Sequence, residues 1–324
     1  MSPNLSFFTP SVLEGIEAVE NLIKSQADDY HPDLGNALAL LVSSGGKRVR
    51  PAITLLIGQM LNADTNIMIT LGASIELLHT ATLVHDDLID ESLLRRGTPT
   101  LNAQWTPGAT VLTGDFLFAH AARLAAETNS VEVMKVFAKT LTIIVNGEIT
   151  QLFSSRFQEN RKNYYDRTYA KTASLFETSA CVPSIVSSCD KSTIESMRKY
   201  GYEIGMAFQI IDDILDFTSN QTTLGKPVGS DLRQGLVTLP AIYYFETHPD
   251  DKDVKYLLEE KSVKDEEQIS RLIEAIRNSN AIQLALDEAS EFVKRGVVNL
   301  NSQPHSPQRK SLEDLAHYIV QRKL

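Results

Sequence analysis

Residues 67–90 read IMITLGASIELLHTATLVHDDLID, a largely apolar stretch that ends in the aspartates Asp86, Asp87 and Asp90. Its apolar residues recur at spacings of three and four, the period of a helix rather than the alternation of a half-buried strand. The acidic ending occurs a second time, where Asp212, Asp213 and Asp216 close another apolar stretch as Asp-Asp-x-x-Asp with Ile and Leu between. On a helix the first and last aspartate of such a cluster share a face, with the middle one about 100° round. Like charges within one turn repel, so each cluster calls for a cation. Oxygen donors without Cys or His at ligand spacing select a hard divalent ion, Mg²⁺ or Mn²⁺, over zinc. Mg²⁺ completes its shell with water and phosphate oxygens. One such cluster is as readily a solvated helix end; two with the same apolar fillers argue for a shared function.

The same periodicity predicts helices over 51–61, 67–90, 110–126, 131–153, 164–187, 191–216 and 311–322, so the fold is expected to be all-α. Gly97, Pro99, Pro107 and Gly108 predict a loop after the first cluster. Gly225, Pro227, Gly229 and Gly235 predict the longest loop, 218–235, directly after the second. An acidic segment around 250–267 reads as solvated surface. No linker-like composition divides the chain, which is expected to form a single domain over 1–324.

With 324 residues, 43% of them hydrophobic, the chain has material for a substantial core. A formal charge of -10 argues against a nucleic-acid binder that relies on phosphate contacts. Cys181 and Cys189 offer no disulfide framework and suit a reducing, cytoplasmic setting. The N-terminus lacks a secretory pattern, and no uninterrupted apolar run reaches about 18 residues, so no integral membrane segment is expected.

Basic residues are locally concentrated, at Lys47, Arg48 and Arg50 within SSGGKRVRP (43–51) and at Arg95 and Arg96. Gly45 and Gly46 let backbone approach an anion closely, and Pro51 favours the first turn of a helix whose N-terminus attracts negative charge. By itself this segment is as readily an ordinary exposed loop. Small basic nests in an acidic protein suit compact phosphate ligands.

Taken in order, GGKRVRP (45–51), LHTATLVHDDLID (78–90), RRG (95–97), GEITQ (147–151), KT (171–172), FQIIDDILD (208–216) and GKP (225–227) closely resemble the trans-type isoprenyl diphosphate synthases, the polyprenyl synthetases. The resemblance runs nearly end to end. It implies a helical bundle around a deep central cavity, assembled as a homodimer. It further implies that Asp86, Asp87, Asp90, Asp212, Asp213 and Asp216 hold Mg²⁺, typically three ions, on an allylic diphosphate that Arg95, Lys171 and Lys226 also reach. Thr172 and Gln209 would direct oxygen dipoles at a carbocation. Lys47, Arg50, His79 and Arg96 match positions that hold isopentenyl diphosphate. His85 supports Asp86 or packs in the core. Glu148 and Gln151 either approach the metals or satisfy each other. Leu236 replaces a lysine that many relatives carry, which removes one phosphate contact.

Short-chain members often place aromatic residues four or five positions before the first aspartate. Here those positions are Thr82 and Ala81, with Leu78 one turn earlier. The expected product is therefore longer than geranylgeranyl diphosphate, with Phe137 or Phe118 as candidate floor residues and a short-chain farnesyl or geranylgeranyl diphosphate synthase as the alternative. Three rivals remain. A class I terpene cyclase would not need the basic isopentenyl site, a non-catalytic subunit typically loses an Asp cluster, and a metal buffer needs neither diphosphate site.

Overall fold

Caps and prolines set where these helices begin. The computed structural model describes residues 8–43, 45–95, 97–154, 157, 160–218 and 227–321, and they are almost wholly helical. In chain order they form α1 (Pro10–Ser25), α2 (Pro32–Ser43), α3 (Val49–Met60), α4 (Thr65–Ile89), strands β1 (Leu94–Arg95) and β2 (Thr98–Pro99), α5 (Leu101–Gln104), α6 (Pro107–Glu127), α7 (Val131–Phe153) and α8 (Arg161–Thr168). A π-helical turn (Tyr169–Ala173) precedes α9 (Ser174–Val186), α10 (Lys191–Thr218) and α11 (Ser230–Arg233). The remainder is α12 (Leu239–Thr247), α13 (Lys252–Glu260), α14 (Glu266–Asn278), α15 (Ala281–Asn299) and α16 (Pro307–Val320). Asp64 caps α4 by accepting from the N–H groups of Asn66 and Ile67, and Thr106 caps α6 on Ala109 ahead of Pro107.

Two compact units account for the chain. The first gathers Met1–Thr140, Leu175–Gly201 and Asn299–Leu315; the second gathers Leu141–Ser174, Tyr202–Val298 and Ala316–Leu324. In the first unit α3 is buried from Val49 through Gly58, as expected of a helix that is apolar on every side. Helix α4 packs against α1, α3 and α6. It alone, among the described residues, is long and apolar enough to cross a membrane, but 61% of its most apolar window is buried inside the protein. It is a core helix whose far end carries Asp86, Asp87 and Asp90. Cys181 and Cys189 are free thiols, the former fully buried.

The structure revises four sequence readings. After α4 the chain does not simply loop: Leu94 pairs with Pro99 and Arg95 with Thr98 in a two-residue antiparallel ladder, which glycine at φ +78° (Gly97) helps to turn. The helix predicted over 164–187 is interrupted by the π turn, since apolar spacing does not register one extra residue in a turn. Of the predicted loop 218–235, residues 219–226 lie outside those described, and Ser230–Arg233 is helical. The acidic segment 250–267 contains α13, whose Val254 and Leu257 are buried beneath its charged face.

Helix α10 meets α9 in the first unit at Gly201, where a Cβ would lie 2.5 Å from the Phe176 carbonyl oxygen and 2.7 Å from Glu177 Cα. Backbone atoms cannot swing aside as a side chain does. Gly201→Ala is therefore expected to lower stability by about 1–3 kcal/mol in urea unfolding; an unchanged midpoint would show that the two helices part freely here.

Candidate active site

The first acidic cluster occupies the last turn of α4, where unsatisfied carbonyls already present partial negative charge. Asp87 turns inward and is buried. It accepts a bidentate pair from Arg95, with Nε at 3.0 Å from both oxygens and Nη2 at 2.8 Å from Oδ1. The hairpin brings that arginine: Ser92 N–H donates to the Asp87 carbonyl, and Thr100 Oγ1 donates to the Ser92 carbonyl, so the turn folds back onto the helix end. Asp86 is half-buried and Asp90 exposed, four residues apart on the face that Asp87 leaves.

The basic segment belongs to the same unit. Arg50 is buried, its guanidinium 4.7 Å from the Phe176 ring centroid, while Lys47 and His79 are half-buried. Arg48, counted by sequence with the basic nest, is otherwise employed: it forms ion pairs with Glu20 and Glu76. Its pairing partners lie far away in sequence, and nothing in the local motif signals them. Arg96 lies outside the described residues. His85 packs on α6, with Nε2 3.2 Å from the Val111 carbonyl and the ring against Phe118 and over Gly114. His85 is half-buried, and its Nε2 also lies 3.7 Å from Asp115 Oδ1. Leu78 and Ala81 have no solvent exposure and Phe137 is buried, whereas Thr82 is half-buried with Oγ1 donating to the His79 carbonyl. An open wall was expected at both small residues; only Thr82 presents accessible surface.

In the second unit the other cluster sits near the end of α10. Its middle member is again the buried one: Asp213 accepts from Tyr164 Oη at 2.7 Å and from Gln209 Nε2 at 2.8 Å. Burial, reinforced by the neighbouring Asp231 carboxylate, pushes Asp213 up to about 8, although Gln209 and Tyr164 pull the other way by bonding its charged form. Tyr164 was not anticipated from sequence, where a Tyr-Tyr pair reads as ordinary packing. Asp212 and Asp216 are half-buried. Each oxygen of Asp216 accepts one backbone N–H, from Ser230 and Asp231.

The π turn presents two functional candidates in succession. Lys171 Nζ lies 2.8 Å from Glu148 Oε1 on α7, and Thr172 Oγ1 donates to Gln209 Oε1 at 2.6 Å. Glu148 is thus paired with Lys171. Gln151 instead helps line a cavity of about 560 Å³ in this unit, with Ile143, Asn146, Asp166, Arg167 and Tyr169. Leu236 is half-buried and cannot contact phosphate through its side chain. Lys226 lies outside the described residues.

Among the described residues no three acidic, His or Cys side chains converge to hold a metal by themselves. Carboxylate oxygens are the donors that Mg²⁺ takes, one or two at a time, with water and phosphate completing its shell. Asp86, Asp90, Asp212 and Asp216 supply such oxygens.

The chain is 34% identical over 311 residues to heptaprenyl diphosphate synthase component 2 of Bacillus subtilis, covering 96% of this chain and 88% of that protein. A crystal structure of heptaprenyl diphosphate synthase from Staphylococcus aureus matches with a TM-score of 0.91 at 34% identity, covering 96% of this chain and 98% of the other. A polyprenyl synthase from Caulobacter crescentus, solved with calcium and isoprenyl diphosphate, matches with a TM-score of 0.90 at 32% identity over 100% and 99% of the two chains. The polyprenyl synthetase family model matches residues 31–276. The chain belongs to the polyprenyl synthetase family.

Proposed function

We propose that this protein is a chain-elongating prenyltransferase that joins isopentenyl diphosphate to an allylic diphosphate. One observation supports this beyond family membership. Each cluster buries its middle aspartate against protein partners and leaves its outer pair, Asp86 with Asp90 and Asp212 with Asp216, accessible at the negative end of a long helix. Accessible anions so placed bind cations, and cations bind diphosphate.

Asp86, Asp90, Asp212 and Asp216 would hold Mg²⁺, three ions by family resemblance, and the bound metal would neutralise the charge that grows on the diphosphate as its allylic carbon–oxygen bond breaks. Lys171, Arg95 and Lys226 add fixed positive charge to the same leaving group. Asp87, which the family resemblance also counts among the metal ligands, orients Arg95, and Asp213, likewise counted, is held by Tyr164 and Gln209. Thr172 donates its hydroxyl hydrogen to Gln209, so its oxygen lone pairs are left to face a carbocation without a competing donor. Lys47, Arg50, His79 and Arg96 hold isopentenyl diphosphate, whose double bond attacks the cationic carbon. A new carbon–carbon bond forms, pyrophosphate departs, and a proton is lost to it, so no separate protein base is required.

A product longer than twenty carbons follows from the small side chain of Thr82 and from the heptaprenyl products named for relatives. A homodimer is the proposed assembly. Val145, Ile149 and Leu152 leave an apolar stripe exposed along one face of α7, of the kind a second copy covers. The name "component 2" borne by the Bacillus protein favours, as the second reading, a protein that works with an additional subunit. Reducing-compartment cysteines suit a cytoplasmic location, with membrane contact through a hydrophobic product.

The deciding experiment incubates the purified chain with farnesyl diphosphate, isopentenyl diphosphate and Mg²⁺ and sizes the product. Chains beyond twenty carbons are expected; shorter ones would defeat the length assignment, and no product without a second protein would favour the second reading. Asp86→Ala and Asp212→Ala should each lower kcat by at least about a hundredfold, and full activity in either would overturn the catalytic assignment. Thr82→Phe should shorten the product. Because Ala81 is tightly packed, Ala81→Phe must displace neighbours and is read alongside a thermal melt, whereas an unchanged product from Thr82→Phe refutes the wall directly.

A further inference from the structure

Between Lys47 and Arg50 stands an arginine whose guanidinium is already committed. Arg48 is the residue before α3 and adopts φ 47°, ψ 34°, a left-handed conformation that costs a non-glycine residue energy and persists only where surroundings enforce it. Its side chain is 10% exposed. Nε donates to Glu20 Oε1 at 2.7 Å, Nη1 to Glu76 Oε1 at 2.9 Å, and Nη2 to the Val42 carbonyl at 2.6 Å. Glu20 lies on α1, Val42 on α2 and Glu76 on α4, so one planar group joins three helices to the loop that leads into α3. Only a guanidinium has donors in a fixed fork suited to this task; lysine offers a single point of attachment.

Glu76 is three residues before His79 on α4, on the same side of the helix. Lys47 precedes Arg48 in the loop, and Arg50 follows two residues later in the first turn of α3. We infer that Arg48 is a positioning residue: it touches no substrate, and through Glu20 and Glu76 it fixes the 45–48 loop and the start of α3 against α4 so that Lys47, Arg50 and His79 present one basic surface to isopentenyl diphosphate. This rests on the proposed role of those three residues. The left-handed backbone belongs to the same device, because it directs the Arg48 side chain away from the course taken by a helix-starting residue and into the space between α1, α2 and α4.

Positioning and direct phosphate contact predict opposite results when a partner is neutralised. Glu76→Gln removes an anion and releases part of the guanidinium. If Arg48 held phosphate, the freed charge would lower KM for isopentenyl diphosphate. If Arg48 positions the loop, Glu76→Gln and Arg48→Lys should both raise that KM about tenfold, a misplacement effect, while KM for farnesyl diphosphate stays within about twofold. A lowered or unchanged KM for isopentenyl diphosphate, or equal rises in both constants with a lowered Tm, would overturn the inference. Should Arg48→Lys fail to fold, Glu20→Gln, whose carboxylate is 30% exposed, carries the same test: a selective rise supports positioning and no rise refutes it. Calorimetric binding of isopentenyl diphosphate reads the same ratio without turnover. A wild-type protein that elongates nothing would defeat the proposed function itself, whereas one that elongates while the variants keep wild-type constants would defeat only the role of Arg48.

Discussion

A carboxylate in the last turn of a helix is repelled twice, by neighbouring carboxylates and by the carbonyl groups that the helix leaves unsatisfied. Both acidic clusters of this protein live under that constraint, and much of their surroundings relieves it. The relief is divided by position. In each triplet the middle aspartate faces the interior and is satisfied by protein groups, while the outer two keep more solvent-accessible surface. The means differ. Asp87 receives a full positive charge from Arg95, whereas Asp213 receives two neutral donors, Tyr164 and Gln209, in a site that burial makes hostile to charge. Asp87 is thereby neutralised by pairing, whereas burial raises Asp213 despite its two donors.

Two elements that a regular helical bundle would not need contribute to these surroundings. Arg95 reaches Asp87 because a short ladder turns the chain back over the end of α4. Lys171 and Thr172 reach α7 and α10 from consecutive positions because the helix between α8 and α9 widens into a π turn just there. One extra residue in a turn shifts the angular placement of everything after it, and such insertions recur at functional sites for that reason. The two irregularities in otherwise helical surroundings thus serve the two clusters, one in each unit.

Legibility in sequence followed the range of the interaction. The period of three and four disclosed the helices because burial of one face is a local property; α7 was bounded to the residue. The Asp-Asp-x-x-Asp spacing disclosed which aspartates share a face, and the accessible outer pairs agree with it. What periodicity could not disclose was the ladder after α4, the π turn or the burial of α13, since each depends on contacts made elsewhere. Ala81 illustrates the limit from the other side: its small size was legible, but whether small means open depends on neighbours, and here the space is filled.

Arg48 carries that lesson to the electrostatics. In sequence, Lys47, Arg48 and Arg50 form one basic nest, and charge counting treats the three alike. In the fold, Arg48 sits between two carboxylates supplied from 28 residues before it and 28 after it, and those three groups together are net negative. Buried pairs of this kind contribute less to stability than their Coulomb attraction suggests, because both partners give up hydration. What they supply is geometry, since a buried carboxylate stripped of its partner is costly and alternatives to the paired arrangement are few. The positive field of the loop therefore comes from its flanking residues, and its shape from the arginine between them.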